Sequence, residues 1–151
     1  MGAIDTLVNH EFIEALPYRP AARREIGLHA VREAIYAMLF MGLAWFEWNG
    51  AFALLIGALV AAEVAVTATD EFIENRTRVL PQNERVVHVF LTLNFGAIIA
   101  LLASVLLDWG AQATSLQAVR HGWTSWALSV LAVASAAWSV RDVFAFRRLA
   151  A

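Results

Sequence analysis

Four long apolar runs, each closed by a short polar or glycine-containing stretch, set the pattern of the chain. The first spans about residues 23–48, is most apolar from Ala34 to Phe46, and stops at the turn dipeptide Asn49-Gly50. The second covers about 51–70, the third about 86–107, ending at Asp108-Trp109-Gly110, and the fourth about 123–140. Each approaches the ~20 residues a helix needs to cross the hydrocarbon core of a bilayer. Ahead of them, Ile4, Leu7, Val8, Phe12, Ile13 and Leu16 recur at roughly helical spacing among Asp5, Asn9, Glu11 and Glu14. That spacing predicts a short amphipathic helix, on the membrane surface or against the bundle, stopped by Pro17 and Pro20. The pattern therefore predicts an all-α integral membrane protein: four transmembrane helices in an up-down bundle, preceded by a short N-terminal amphipathic helix. Residues 1–20 form the interfacial segment, residues 21–151 the membrane domain, and residues 111–121 an exposed connection.

Composition supports this class and narrows the chemistry. The 151 residues are 60% hydrophobic, with a mean hydropathy of +0.61. There is no Cys, which excludes disulfides, thiolate metal sites, iron–sulfur clusters and a Cys nucleophile. All eleven basic residues are Arg, and the predicted topology puts ten of them on one side of the membrane, leaving only Arg120 on the other. The positive-inside rule makes the majority side cytoplasmic, with both termini inside. Trp45, Trp48, Trp109, Trp123 and Trp126 then fall at the opposite face, as an interfacial aromatic belt does.

The densest run of ionisable residues, 63–88, lies where the second and third spans meet the arginine-rich side. Glu63 and Asp70 are seven apart, and Glu84 and His88 four apart, so each pair shares a helix face; His29 and Glu33 form a third such pair on the first span. Carboxylates near hydrocarbon need a proton, an arginine or a cation, and intramembrane ionisable residues are suspects for function. His29, Glu33, Glu63, Asp70, Glu84 and His88 supply two imidazoles and four carboxylates, the ligand inventory of carboxylate-bridged dinuclear sites in helical bundles. Those sites use Glu-x-x-His, three apart, whereas both His–carboxylate pairs here are four apart and one is reversed. On this reading Glu33 and Glu63 bridge two divalent ions as the catalytic carboxylates, His29 and His88 each cap one, and Asp70 and Glu84 complete the shells. Arg32, Arg78, Arg85 and the buried amide Asn94 support them from behind. Iron is favoured ahead of manganese or zinc, and it would give an oxidoreductase of the hydroxylase, desaturase or quinol oxidase type acting on a lipid-soluble substrate.

Three further readings use the same residues. An interhelical salt-bridge network of His29, Arg32, Glu33, Arg78, Glu84 and Arg85, with Asp70, Glu71 and Glu74 as a solvated rim, would make the chain a non-enzymatic accessory subunit of a membrane complex. Haem between His29 and His88 needs two imidazoles and an apolar slot, and the carboxylates count against it. Lipid phosphoryl transfer would have Glu63, Asp70 and Glu74 hold magnesium, without a lysine or a glycine-rich phosphate loop. His10 and His121 read as surface residues. Expected partners are membrane lipids, the lipid-soluble substrate, and a second copy of the chain or a larger membrane complex, with no nucleic acid.

Overall fold

A computed structural model describes residues 6–77 and 79–150, with the side chains of residues 6–9 excepted. A wide, π-type helix over Thr6–Ile13 and two 3-10 turns, Leu16–Tyr18 and Pro20–Ala22, lead into helix α1, Arg23–Trp45. Strand β1 (Phe46–Asn49) and a 3-10 turn, Gly50–Phe52, connect to α2, Ala53–Thr77; α3 is Gln82–Gly110, β2 is Ser115–Ala118 and α4 is Trp123–Arg148. All four α-helices are long and apolar enough to cross a membrane, and together they form the up-down bundle expected of a multi-pass membrane protein.

The helices outrun the apolar segments for a simple reason. Residues 71–77 contain neither Gly nor Pro, so α2 carries the acidic cluster a further two turns. Pro81 fits ahead of the first turn of α3, where a missing N–H costs nothing, and its carbonyl accepts from the Arg85 amide at 3.1 Å. The C-terminal part of α4 likewise meets no breaker before Arg148.

Helix α1 is the hub. Its longest packing face is against α4, where Ser139 Oγ donates to the Ala30 carbonyl at 2.7 Å. At Gly27 the two helices come so close that a Cβ would stand 3.1 Å from the Phe146 ring. On another face α1 meets α2 through Ile35, Leu39 and Ile56, with Leu102 and Leu106 of α3 laid over them. Helix α3 is peripheral: Glu84 is its one buried residue, and its apolar sides are left to face lipid or another protein.

The stretch 111–121 is more ordered than its sequence suggests. β2 pairs antiparallel with β1, Phe46 opposite Ala118 and Asn49 opposite Ser115. Polar backbone at a membrane boundary must be paired or hydrated, and two short segments at the same end of the bundle satisfy each other. Gly50 is required at the turn: its φ is +59°, and a Cβ there would fall 2.5 Å from Thr114 Oγ1. Trp45, Trp48, Trp109, Trp123 and Trp126 all sit at or near this end, and Trp45 Nε1 donates to Ser129 Oγ at 2.8 Å.

The N-terminal segment folds across the opposite, arginine-rich end of the bundle. Leu16 is wholly buried against Ala22, Ile26 and Ala145. Arg148 donates to the Pro17 carbonyl at 2.9 Å, and Arg141 binds Glu11 as well as Asp142. Of its expected apolar face, Ile4 lies outside the described residues, Leu16 points into the bundle, and Phe12 and Ile13 are exposed.

Candidate metal centre

Four chain segments converge at the arginine-rich end, and helical spacing explains which residues each supplies. On α1, Glu25, His29, Arg32 and Tyr36 follow one another at intervals of four, three and four, a single stripe. On α2 the matching stripe is Glu63, Thr67, Asp70 and Glu74, and on α3 it is Glu84 and His88. His10 comes from the N-terminal segment, steered by Ala15 in the left-handed region (φ 48°) before Leu16 anchors the chain. His10, Glu25, His29, Glu63, Asp70, Glu74 and Glu84 are all buried.

Among the described residues two sets of potential ligand atoms form, and they share one residue. His10, Glu25 and His29 make the first; His10, Glu74, Glu84 and His88 make the second; within each set every ligand atom lies within 4.8 Å of the others. Metal–nitrogen bonds of ~2.0–2.1 Å place tetrahedral ligands roughly 3.4 Å apart, so each set needs only small side-chain adjustments to close on an ion. His10 Nε2 stands 3.4 Å from Glu84 Oε1, and His88 Nδ1 stands 3.4 Å from Glu71 Oε2 and 3.6 Å from Glu74 Oε2. Beside the first set, Asp70 Oδ2 lies 3.2 Å from His29 Nε2 and takes a close charged hydrogen bond from Arg32. The mixed nitrogen and oxygen donors suit a borderline divalent ion, while walls this rich in carboxylate do not fit haem between His29 and His88.

Ion pairing runs through the same region. Arg32 to Asp70 ties α1 to α2 and Arg141 to Glu11 ties the N-terminal segment to α4, while a 3.4 Å contact of His10 with Glu84 links that segment to α3. These contacts run between elements, as the sequence required of any salt-bridge network here, but Asp70 and Glu74 are buried members rather than a solvated rim; only Glu71 is exposed.

Of the residues anticipated as ligands, His29, Glu84 and His88 fall within the two sets, and Asp70 stands beside the first without belonging to either. Glu33 and Glu63 belong to neither set of ligand atoms. Glu33 turns toward Ser135 of α4. Glu63 lies deeper, its Oε1 accepting from Tyr36 and Thr67 at 2.8 Å each, and its Oε2 has no hydrogen-bond partner among the described residues. Arg85 is exposed, one residue and about 100° around the helix from buried Glu84. Asn94 is exposed too, not the buried amide expected, because this helix packs at the edge of the bundle and buries only Glu84. Arg78 lies outside the described residues.

Sequence reasoning missed Glu25, read His10 as a surface residue, and gave Glu74 only as a rim residue or a magnesium ligand. Glu25 and His29 are four apart, as are Asp70 and Glu74, so the same spacing rule finds both pairs once each helix is taken to its first and last turns. His10 has no such partner; its local pattern reads as surface, and only tertiary folding buries it to 6% exposure.

An apolar cavity of about 830 Å³ opens among α1, α2 and α4, lined by Met38, Met41, Trp48, Leu55 and Ala132 among others. Its innermost lining residue on α1, Ala37, is eight residues past His29, roughly 12 Å along the axis. Cavity and polar centre therefore occupy different levels of the bundle.

Fold and site together define a four-span α-helical membrane protein with a buried His/carboxylate centre, able to chelate a divalent metal, at one end. Compared with protein-family models, with curated proteins and with solved structures, the chain gives no match in any of the three.

Proposed function

We propose that this protein is an accessory component of a larger membrane complex, whose buried charges fix the positions of its helix ends and its N-terminal segment. The observation that carries this reading is Asp70, gripped from α1 by both His29 and Arg32. A paired charge in a low-dielectric site is strongly directional, and losing one partner strands the other. The outward face of α3, with Val89, Phe90, Leu93 and Leu101 exposed, supplies surface for a neighbouring membrane protein or a second copy. The arginine-rich end is cytoplasmic on this proposal, with both chain ends on that side. Because the chain has no Cys, single cysteines at Leu101 and at Arg147 test both points. Cross-linking from Leu101 to another chain in native membranes is expected, as is labelling of Arg147→Cys only after the cytoplasmic side is opened. A chain that stays uncross-linked and monomeric at native abundance would refute the accessory role.

A second reading is favoured by the two ligand sets that share His10. In it the centre holds divalent metal, and the protein is a membrane oxidoreductase acting on a lipid-soluble substrate. An ion would be held by His10 together with either Glu25 and His29 or Glu74, Glu84 and His88; a neutral imidazole has one free nitrogen lone pair, so His10 would complete one set at a time. Bound iron would supply oxygen-dependent hydroxylation, desaturation or quinol oxidation. The chain's own contribution is to keep Asp70 fixed through Arg32 and to keep His10 and His29 buried. Elemental analysis of detergent-purified protein decides between the readings: metal below a tenth of an equivalent leaves the accessory role alone.

A further inference from the structure

We propose that the N-terminal segment is the closing element of the metal centre, and that His10 is the ligand on which binding of a borderline divalent transition metal depends. This inference rests on the second reading above and adds to it the residue, the segment and the class of ion.

His10 is the one residue common to both ligand sets. Without it the first set falls to Glu25 and His29 from adjacent turns of α1, and the second loses its link to the first. The segment that carries His10 is built to deliver it. Leu16 is fully buried in the bundle, Pro17 is held by Arg148 and Glu11 by Arg141, so the chain that directly follows His10 is pinned at several points. Between those anchors Ala15 adopts a left-handed conformation that non-glycine residues disfavour, while Phe12 and Ile13 stay exposed as an imidazole goes inside. Phe12 and Ile13 suit a segment that lies at the membrane surface, while the buried imidazole is the departure that a metal ligand accounts for. The His10 ring stacks on His29 at 4.7 Å, which fixes its orientation beside the second imidazole.

Donor type sets the ion. The first set offers two nitrogens and one carboxylate, the second two nitrogens and two carboxylates. Zinc, iron, cobalt or manganese accept such mixtures, whereas magnesium and calcium take oxygen alone. Each imidazole binds a metal in its neutral form, with one ring nitrogen as donor, so His10 closes whichever of the two sets holds the ion.

The test is titration of the detergent-solubilised full chain with Co²⁺, read by visible absorption, with Zn²⁺ and Mg²⁺ as competitors. His10→Ala is compared with His121→Ala, a change at the other end of the bundle, and helical circular dichroism checks each fold. We expect His10→Ala to weaken Co²⁺ binding at least tenfold, His121→Ala to leave it unchanged, Zn²⁺ to displace Co²⁺, and millimolar Mg²⁺ not to. Wild-type affinity in folded His10→Ala would overturn the closing role and leave the metal reading standing. Failure of the wild-type chain to bind Co²⁺ or Zn²⁺ would sink both. Should His10→Ala fail to fold, His10→Gln, which keeps a polar side chain of similar reach but a poor metal donor, takes its place with the same expectations.

Discussion

The imidazole rings of His10 and His29 stack with their centroids 4.7 Å apart and their planes within 13° of parallel. Eighteen residues, among them two proline-containing turns and a left-handed alanine, separate them in sequence. Their meeting joins the N-terminal segment to the polar stripe of α1, and through Asp70 and Glu84 to α2 and α3.

Asp70 holds two partners at once, so its loss should be felt in stability. Asp70→Asn is expected to destabilise the fold by about 3 kcal/mol, the usual cost of breaking a buried ion pair from one side. Thermal unfolding in detergent measures it. Combining the change with Arg32→Leu should recover part of the loss, since the arginine is then no longer stranded; strictly additive effects would show that the two side chains do not interact.

Glu63 tests whether the deeper carboxylate belongs to the centre. Glutamine retains an oxygen that accepts from Tyr36 and Thr67, so Glu63→Gln should change stability by less than ~1 kcal/mol. Because Glu63 lies outside both ligand sets, metal content should not change. Elemental analysis showing loss of metal in this variant would instead make Glu63 a ligand, as its position in the sequence suggests.

At Gly50 the fold demands both a positive φ and the absence of a Cβ. Gly50→Ala should cost on the order of 1–3 kcal/mol through left-handed strain and collision with Thr114. The β1–β2 pairing should loosen with it, visible as faster hydrogen exchange at the Val119 amide, which donates to the Trp45 carbonyl at 2.8 Å.

Ala15 predicts the opposite sign. Replacing it with Gly relieves a left-handed conformation at φ 48° and should stabilise the docked N-terminal segment by up to ~1 kcal/mol, offset in part by the greater freedom of glycine when undocked. Slower exchange at the Arg19 amide, which donates to the Leu16 carbonyl at 3.1 Å, would register it. Faster exchange would mean that the strain is not relieved.

The sequence by itself determined the four spans, because twenty or so apolar residues between polar breaks admit few other structures in a bilayer. It also determined that His29, Asp70, Glu84 and His88 are candidates, since helical periodicity places each on one face with a neighbour. Burial was already less secure: Asn94 is exposed because α3 packs at the edge of the bundle. Periodicity says which residues share a stripe, but not which stripe of one helix faces which stripe of the next. Helix packing decided that Glu25 and Glu74 join the centre, that Glu63 ends up deeper with Tyr36, and that Glu33 turns to Ser135 on α4. The last piece, His10, was decided by tertiary structure alone. Its burial depends on anchors as distant in sequence as Ala145 and Arg148, and no local pattern encodes a contact made at the far end of the chain.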